Sequence, residues 1–162
     1  MVFIGWFLLA AGRAEASEVT GRAVLAGVTV GDVMTAEPAP APDWIFVDAL
    51  IADYFLMHQH GSCPVRDMGG RITGLITLNR LRQVSPQARA TTRVREVACA
   101  VAEVPCVTPQ TSLLALREKL GISPDRRALV FEGDALVGIV SPSDLAFATS
   151  VASLRTPHAR AA

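Results

Sequence analysis

CPVRDMGGRITGLITLNRL, from Cys63 to Leu81, returns in residue type and order as RALVFEGDALVGIVSPSDL, from Arg127 to Leu145. The starts of the two stretches lie 127 − 63 = 64 residues apart, and Gly74 and Gly138 lie 138 − 74 = 64 apart, so they align without a gap. Upstream, VTVGDVM and TRVREVA keep the same spacing, with Val30 matching Val94 and Val33 matching Val97. A repeat of this length cannot bury its apolar face alone, so two copies are expected to pack against each other around a shared interior.

Each copy carries the same local signals. A short apolar segment, CPV or ALVF, precedes a turn, DMGG or EGD, and a second apolar segment follows, ITGLIT or LVGIVS. That order predicts an antiparallel hairpin running into a helix. Between the landmarks, Asp48 to Met57 and Ser112 to Leu120 repeat their apolar residues at three- and four-residue steps, the mark of a helix with one buried face. Thr111 or Ser112 is the expected N-cap of the second helix. The fold class predicted is mixed α/β (α+β), two βαββα units about an approximate dyad, with ligand clefts beside it.

Composition narrows the function. The 162 residues are 51% apolar and 19% charged, and 15 basic side chains balance 15 acidic ones. No global field draws the chain to nucleic acid, which is not expected as a partner. The three cysteines, Cys63, Cys99 and Cys106, have no CxxC spacing and are expected as buried small apolar groups. His58, His60 and Cys63 read as a helix end turning into a strand, so no metal is expected there. No catalytic motif is present, and no cofactor is required.

Val2 to Ala11 read VFIGWFLLAA, an uncharged apolar run ending at Gly12 and Arg13. It is shorter than the roughly 20 residues that span a bilayer, and no positive charge precedes it as in a signal peptide. Residues 1–26 are therefore expected to form an apolar N-terminal helix, the remnant of a transmembrane helix or a helix that docks on the protein. Residues 1–13 are its contact with a membrane or membrane protein, which places the chain at the cytoplasmic face of the membrane, or in the cytoplasm if the helix docks. Residues 28–86 and 91–149 are the two repeat units, and 150–162 a flexible tail.

Asp32-Val33-Met34-Thr35, Cys63-Pro64-Val65, Gly74-Leu75-Ile76-Thr77 and the run Gly138-Ile139-Val140-Ser141-Pro142-Ser143-Asp144-Leu145 resemble the CBS domain in tandem, the Bateman module. The resemblance implies a regulatory pair that takes an adenine nucleotide, AMP, ADP or ATP, in the cleft between repeats, and a homodimer. It implies that Ser141 reaches phosphate and Asp144 the ribose, beside Gly138; a helix start also offers free N–H groups to an anion. In the first copy Thr77 is kept, but Arg80 stands where the acid belongs. An arginine cannot accept from a sugar hydroxyl, so a single conventional site is expected. His60, Pro64 and Arg127 are further expected contacts. Ser141 and Asp144 also suit plain helix capping.

The segment GWFLLAAGRAEAS, followed by the repeats, is similar to the C-terminal tail of bacterial site-2 protease-like intramembrane zinc metallopeptidases. The HExxH signature is absent from the sequence. Two alternatives to a nucleotide sensor therefore stand: a ligand-free dimerisation or docking module, and a C-terminal fragment of such a peptidase without its catalytic part.

Overall fold

The computed structural model describes residues 27–155 apart from 59, 122 and 124. The expectations for residues 1–26 and for the chain beyond 155 lie outside the described residues.

Among the described residues, eight strands form two four-stranded sheets. They are β1 (Thr35–Ala36), β2 (Ala41–Pro42), β3 (Ser62–Arg66), β4 (Ile72–Thr77), β5 (Cys99–Ala100), β6 (Cys106–Val107), β7 (Ala128–Glu132) and β8 (Ala135–Val140). Helix α1 begins at Val47–Leu50, widens to a π-helical stretch over Ile51–Phe55 and closes over Leu56–His58. The remaining helices are α2 (Leu78–Arg82), α3 (Val94–Val97), α4 (Leu113–Leu120) and α5 (Pro142–Arg155).

Each sheet is completed by the other repeat. One has the order β1-β8-β7-β6 and the other β2-β3-β4-β5. Thr35 pairs with Ile139 and Ala36 with Gly138, while Cys99 pairs with Leu75 and Ala100 with Gly74. The lead-in strand of each unit thus crosses to the hairpin of its neighbour, in matching register. Three apolar clusters follow: one in the second unit around Leu116 and Val130, one in the first around Leu50 and Ile76, and a shared one of Leu75, Cys99, Val104, Leu129 and Ile139. The last is the common interior that a pair of undersized units needs.

The ungapped 64-residue alignment needs one correction. Val65 pairs with Gly74, and Val130 with Gly138. The strands before the turns are therefore offset by 130 − 65 = 65, although the glycines keep 64. The physical reason is the hairpin: the first connection is one residue longer than the second, so Cys63 corresponds to Ala128 and Arg127 to Ser62. Both hairpins also carry a bulge at the same point, Val65/Arg66 and Val130/Phe131.

Two further expectations are revised. Helix α5 runs past the boundary expected at Thr149 to Arg155, because Ala148 and Ala152, one turn apart, both bury their methyl groups. Cys63 and Cys99 are buried as expected, but Cys106 is exposed, since it sits on the edge strand β6. Ser112 proves to be the N-cap of α4, its hydroxyl accepting from the Ala115 amide at 3.2 Å.

Candidate functional site at the repeat corners

Each hairpin ends at a hydroxyl residue that starts a helix, so the fold builds two related corners. In the second, Ser141 precedes α5. Its backbone N–H and its hydroxyl both donate to Asp144 Oδ2 at 2.7 Å, and its Oγ accepts from the Asp144 amide at 3.4 Å. This is a reciprocal capping box, and it holds both side chains part-buried just past the C-terminal end of β8. Gly138, two residues before the end of β8, lies against the Met34 side chain.

The first corner is occupied from within. Thr77, fully buried, caps α2 by accepting from the Arg80 amide at 3.4 Å and donates its proton to Asp125 Oδ1 at 3.0 Å. Arg80 Nε binds Asp125 Oδ2 at 2.8 Å, and its Nη1 reaches the Val97 carbonyl at 3.5 Å. Burial pulls the Arg80 guanidinium down, but the hydrogen bond and charge of Asp125, with Cys99 and Glu103, outweigh it and leave the pKa raised. Arg80 is thus a firmly held cation whose partner comes from the opposite repeat.

Arg127 lies between the corners. Its Nη1 donates to the Asp125 carbonyl at 3.1 Å, and a methyl group added at Gly61 would stand 3.2 Å from its Nη2. Burial lowers its pKa, opposed by the charges of Asp125 and Asp144. Its buried Nε has no hydrogen-bond partner among the described residues.

His60 and Pro64 belong to a different part of the site. They line a cavity of about 170 Å³ together with Thr35, Glu37, Tyr54 and His58. The π-helical stretch Ile51–Phe55 changes the helical phase just before His58, a distortion that recurs at functional sites. The rings of His58 and His60 are parallel with centroids 6.5 Å apart. Glu37, at φ 49°, adopts a left-handed conformation uncommon outside glycine. Because β1 pairs with β8, this cavity of the first unit borders the strand that leads to Ser141 and Asp144. His60 and Pro64 thus line that cavity, Gly138, Ser141 and Asp144 lie along β8 and the start of α5, and Thr77 and Arg80 meet Asp125 in the first corner.

Sequence reasoning missed Asp125. Its contacts span 48 and 45 residues, so no local pattern announces them. The signal was the corrected repeat: at the 65-residue offset of the adjoining strands, Asp125 corresponds to His60 (125 − 60 = 65). Arg80 corresponds to Asp144 at the 64-residue offset of the glycines, so a base stands in the first corner where an acid stands in the second.

Residues 94–150 match the CBS domain family. Over 92% of this chain and 96% of the other, the fold superimposes on the CBS domain of the bacterial CNNM/CorC family Mg2+ transporter, with a TM-score of 0.69 at 17% identity. The chain has the fold of a tandem CBS domain pair. The CBS domain of a membrane protein from Sphaerobacter thermophilus gives a TM-score of 0.64 at 22% identity, over 82% of this chain and 96% of that one. In sequence, the pair is 46% identical over 159 residues to the protein named "Putative zinc metalloprotease Rip3" in two strains of Mycobacterium tuberculosis. That alignment takes in 98% of this chain and 40% of the relative, so the CBS pair spans well under half the length of the curated proteins it matches.

Proposed function

We propose that this CBS pair is a regulatory module that binds one adenine nucleotide, AMP, ADP or ATP, and reports its presence to an attached or associated membrane protein. The observation that carries the reading is the β1–β8 pairing: Thr35 and Ala36, which line the cavity with His60 and Pro64, pair with Ile139 and Gly138 in the strand that leads to Ser141 and Asp144. The cavity offers rings for a base and the corner a carboxylate for a sugar diol. Arg127, whose buried Nε–H has no partner among the described residues, supplies cationic charge for phosphate. A CBS domain of the CNNM/CorC transporter family has been solved with ATP, at 18% identity to this chain and a TM-score of 0.68, which supports the ligand class. Occupancy regulates a partner only if the ligand prefers one arrangement of the two repeats over another.

The similarity to Rip3 supports a membrane zinc metallopeptidase as the regulated protein, with the CBS pair at the cytoplasmic face of the membrane. Among the described residues no helix is long and apolar enough to cross a membrane. Isothermal titration calorimetry of the chain with ATP and with AMP tests the reading. One site lost in Asp144→Ala is expected, and the absence of heat with every adenine ligand would reject it.

A second reading, a docking or homodimerisation module, is favoured by a different observation. Phe147, Val151 and Leu154 lie on one side of α5 and are 69%, 40% and 84% exposed. An apolar stripe of this kind on a soluble face marks a contact surface.

A further inference from the structure

The Asp125 carboxylate is held by an uncommon set of partners for a loop residue. Its two oxygens are divided between the hydroxyl of buried Thr77 and the guanidinium of Arg80, both from the other repeat. Its side chain is only 9% exposed, and that of Arg80 27%. The loop is fixed behind it as well: Arg127 Nη1 donates to the Asp125 carbonyl, and the Arg126 amide to the Ser123 carbonyl at 3.2 Å. Arg126 itself is held at φ 49°, a left-handed conformation that costs a non-glycine residue free energy. Strain is thus maintained in the backbone while the neighbouring carboxylate is placed against a cation and a hydroxyl.

A guanidinium and a hydroxyl converging on one pair of oxygens is the donor set that recognises a phosphate group. In this corner the oxygens belong to the protein. We propose that Asp125 is an internal anionic ligand, an autoinhibitory contact that keeps the Thr77–Arg80 corner closed to external oxyanions and ties the second repeat to the first. Removing its charge exposes Arg80, with Arg127 nearby, as a binding site for phosphate-like groups. The inference does not depend on a nucleotide at the Ser141–Asp144 corner, because neither the contact nor its test involves adenine.

The experiment is calorimetric titration of the full 162-residue chain with inorganic pyrophosphate. Asp125→Ala is expected to gain a pyrophosphate site, with affinity at least about tenfold above any shown by the unaltered chain, the factor expected for a charge-assisted hydrogen bond. Adding Arg80→Ala in the same chain is expected to remove the gain. Equal affinities for Asp125→Ala and the unaltered chain, or a gain that survives Arg80→Ala, would overturn the proposal. Asp125→Asn keeps the shape and discards the charge, and serves if the alanine variant does not fold. In ¹⁵N-resolved spectra of that variant the Arg80 Nε–H resonance should move as pyrophosphate is added, whereas in the unaltered chain it should stay in place. An immobile resonance in Asp125→Asn would also overturn the proposal.

Discussion

Gly74 presses its Cα face against the backbone carbonyl of Cys99, so closely that no side chain fits between them. The contact follows from the crossing of β5 into the first repeat's sheet. Its counterpart, Gly138, is crowded by the flexible end of Met34 and not by backbone. A methyl group at residue 74 must displace a strand, whereas one at 138 need only turn a side chain. Gly74→Ala is expected to cost about 3 kcal/mol or more and Gly138→Ala about 1 kcal/mol. Urea unfolding of both variants checks the order, and equal losses would contradict it.

Capping and ligand binding at the second corner are separable by measurement. Ser141→Ala and Asp144→Ala each remove part of the capping box, at about 1 kcal/mol, or a fall of roughly 2–4 °C in Tm for a chain of this size. His60 belongs to no cap. His60→Ala is therefore expected to leave Tm nearly unchanged while weakening ATP binding by about 1–3 kcal/mol, the range for a lost base-stacking partner. Calorimetry and thermal melts on the same samples decide it.

The thiols predict an alkaline limit to stability. Burial raises Cys63 to about 11, the Ala41 backbone opposing, and burial followed by the Glu103 hydrogen bond raises Cys99 to about 11. In the unfolded chain both lie near 9.0. A folded value above the unfolded one means stability that is complete below pH 9 and lost as pH rises toward 11, on the order of 2 kcal/mol for Cys63, with Cys99 acting in the same direction. Melts across that window should show the fall, and Cys63→Ala should make it shallower.

Alkylation gives an independent view of the same residues. Cys106 is exposed, although burial of its sulfur raises its pKa against the pull of Lys119. Iodoacetamide at pH 8.5 is expected to label Cys106 in the folded chain and all three cysteines in denaturant. Mass spectrometry of the digested protein counts them, and rapid labelling of Cys63 in the folded state would refute its burial.

If the α5 stripe is a contact surface, charge on it should prevent association. Phe147→Asp with Leu154→Asp is expected to convert a self-associating chain to monomer with little change in Tm, since both side chains are already largely exposed. Light scattering over a concentration series reads the result.

Much of this architecture could be read from the residues, and the parts that could not share a cause. The hairpins, the Ser112 cap and the Ser141–Asp144 box are local, set by residues within a few positions of one another, and their patterns were visible. The exchange of β1 and β5 was not: a short apolar lead-in has the same pattern whichever hairpin accepts it. The one-residue slip between β3 and β7 was hidden because both strands are apolar and the extra residue sits in the turn. Asp125 was hidden for the same reason as the exchange, its partners lying in the other half of the sequence.

The crossed lead-in strands carry one more consequence. A gene for a single unit would leave its own hairpin edge unpaired and its lead-in without a place to bind, and could complete its sheet only by finding a second copy in solution. Joining two copies in tandem replaces that encounter by a tethered one, at the effective concentration set by the short connection between them. Neither half of this chain is therefore expected to fold as a monomer on its own, and a hybrid with a related protein cut at the midpoint would succeed only if each new lead-in also matched the opposite hairpin.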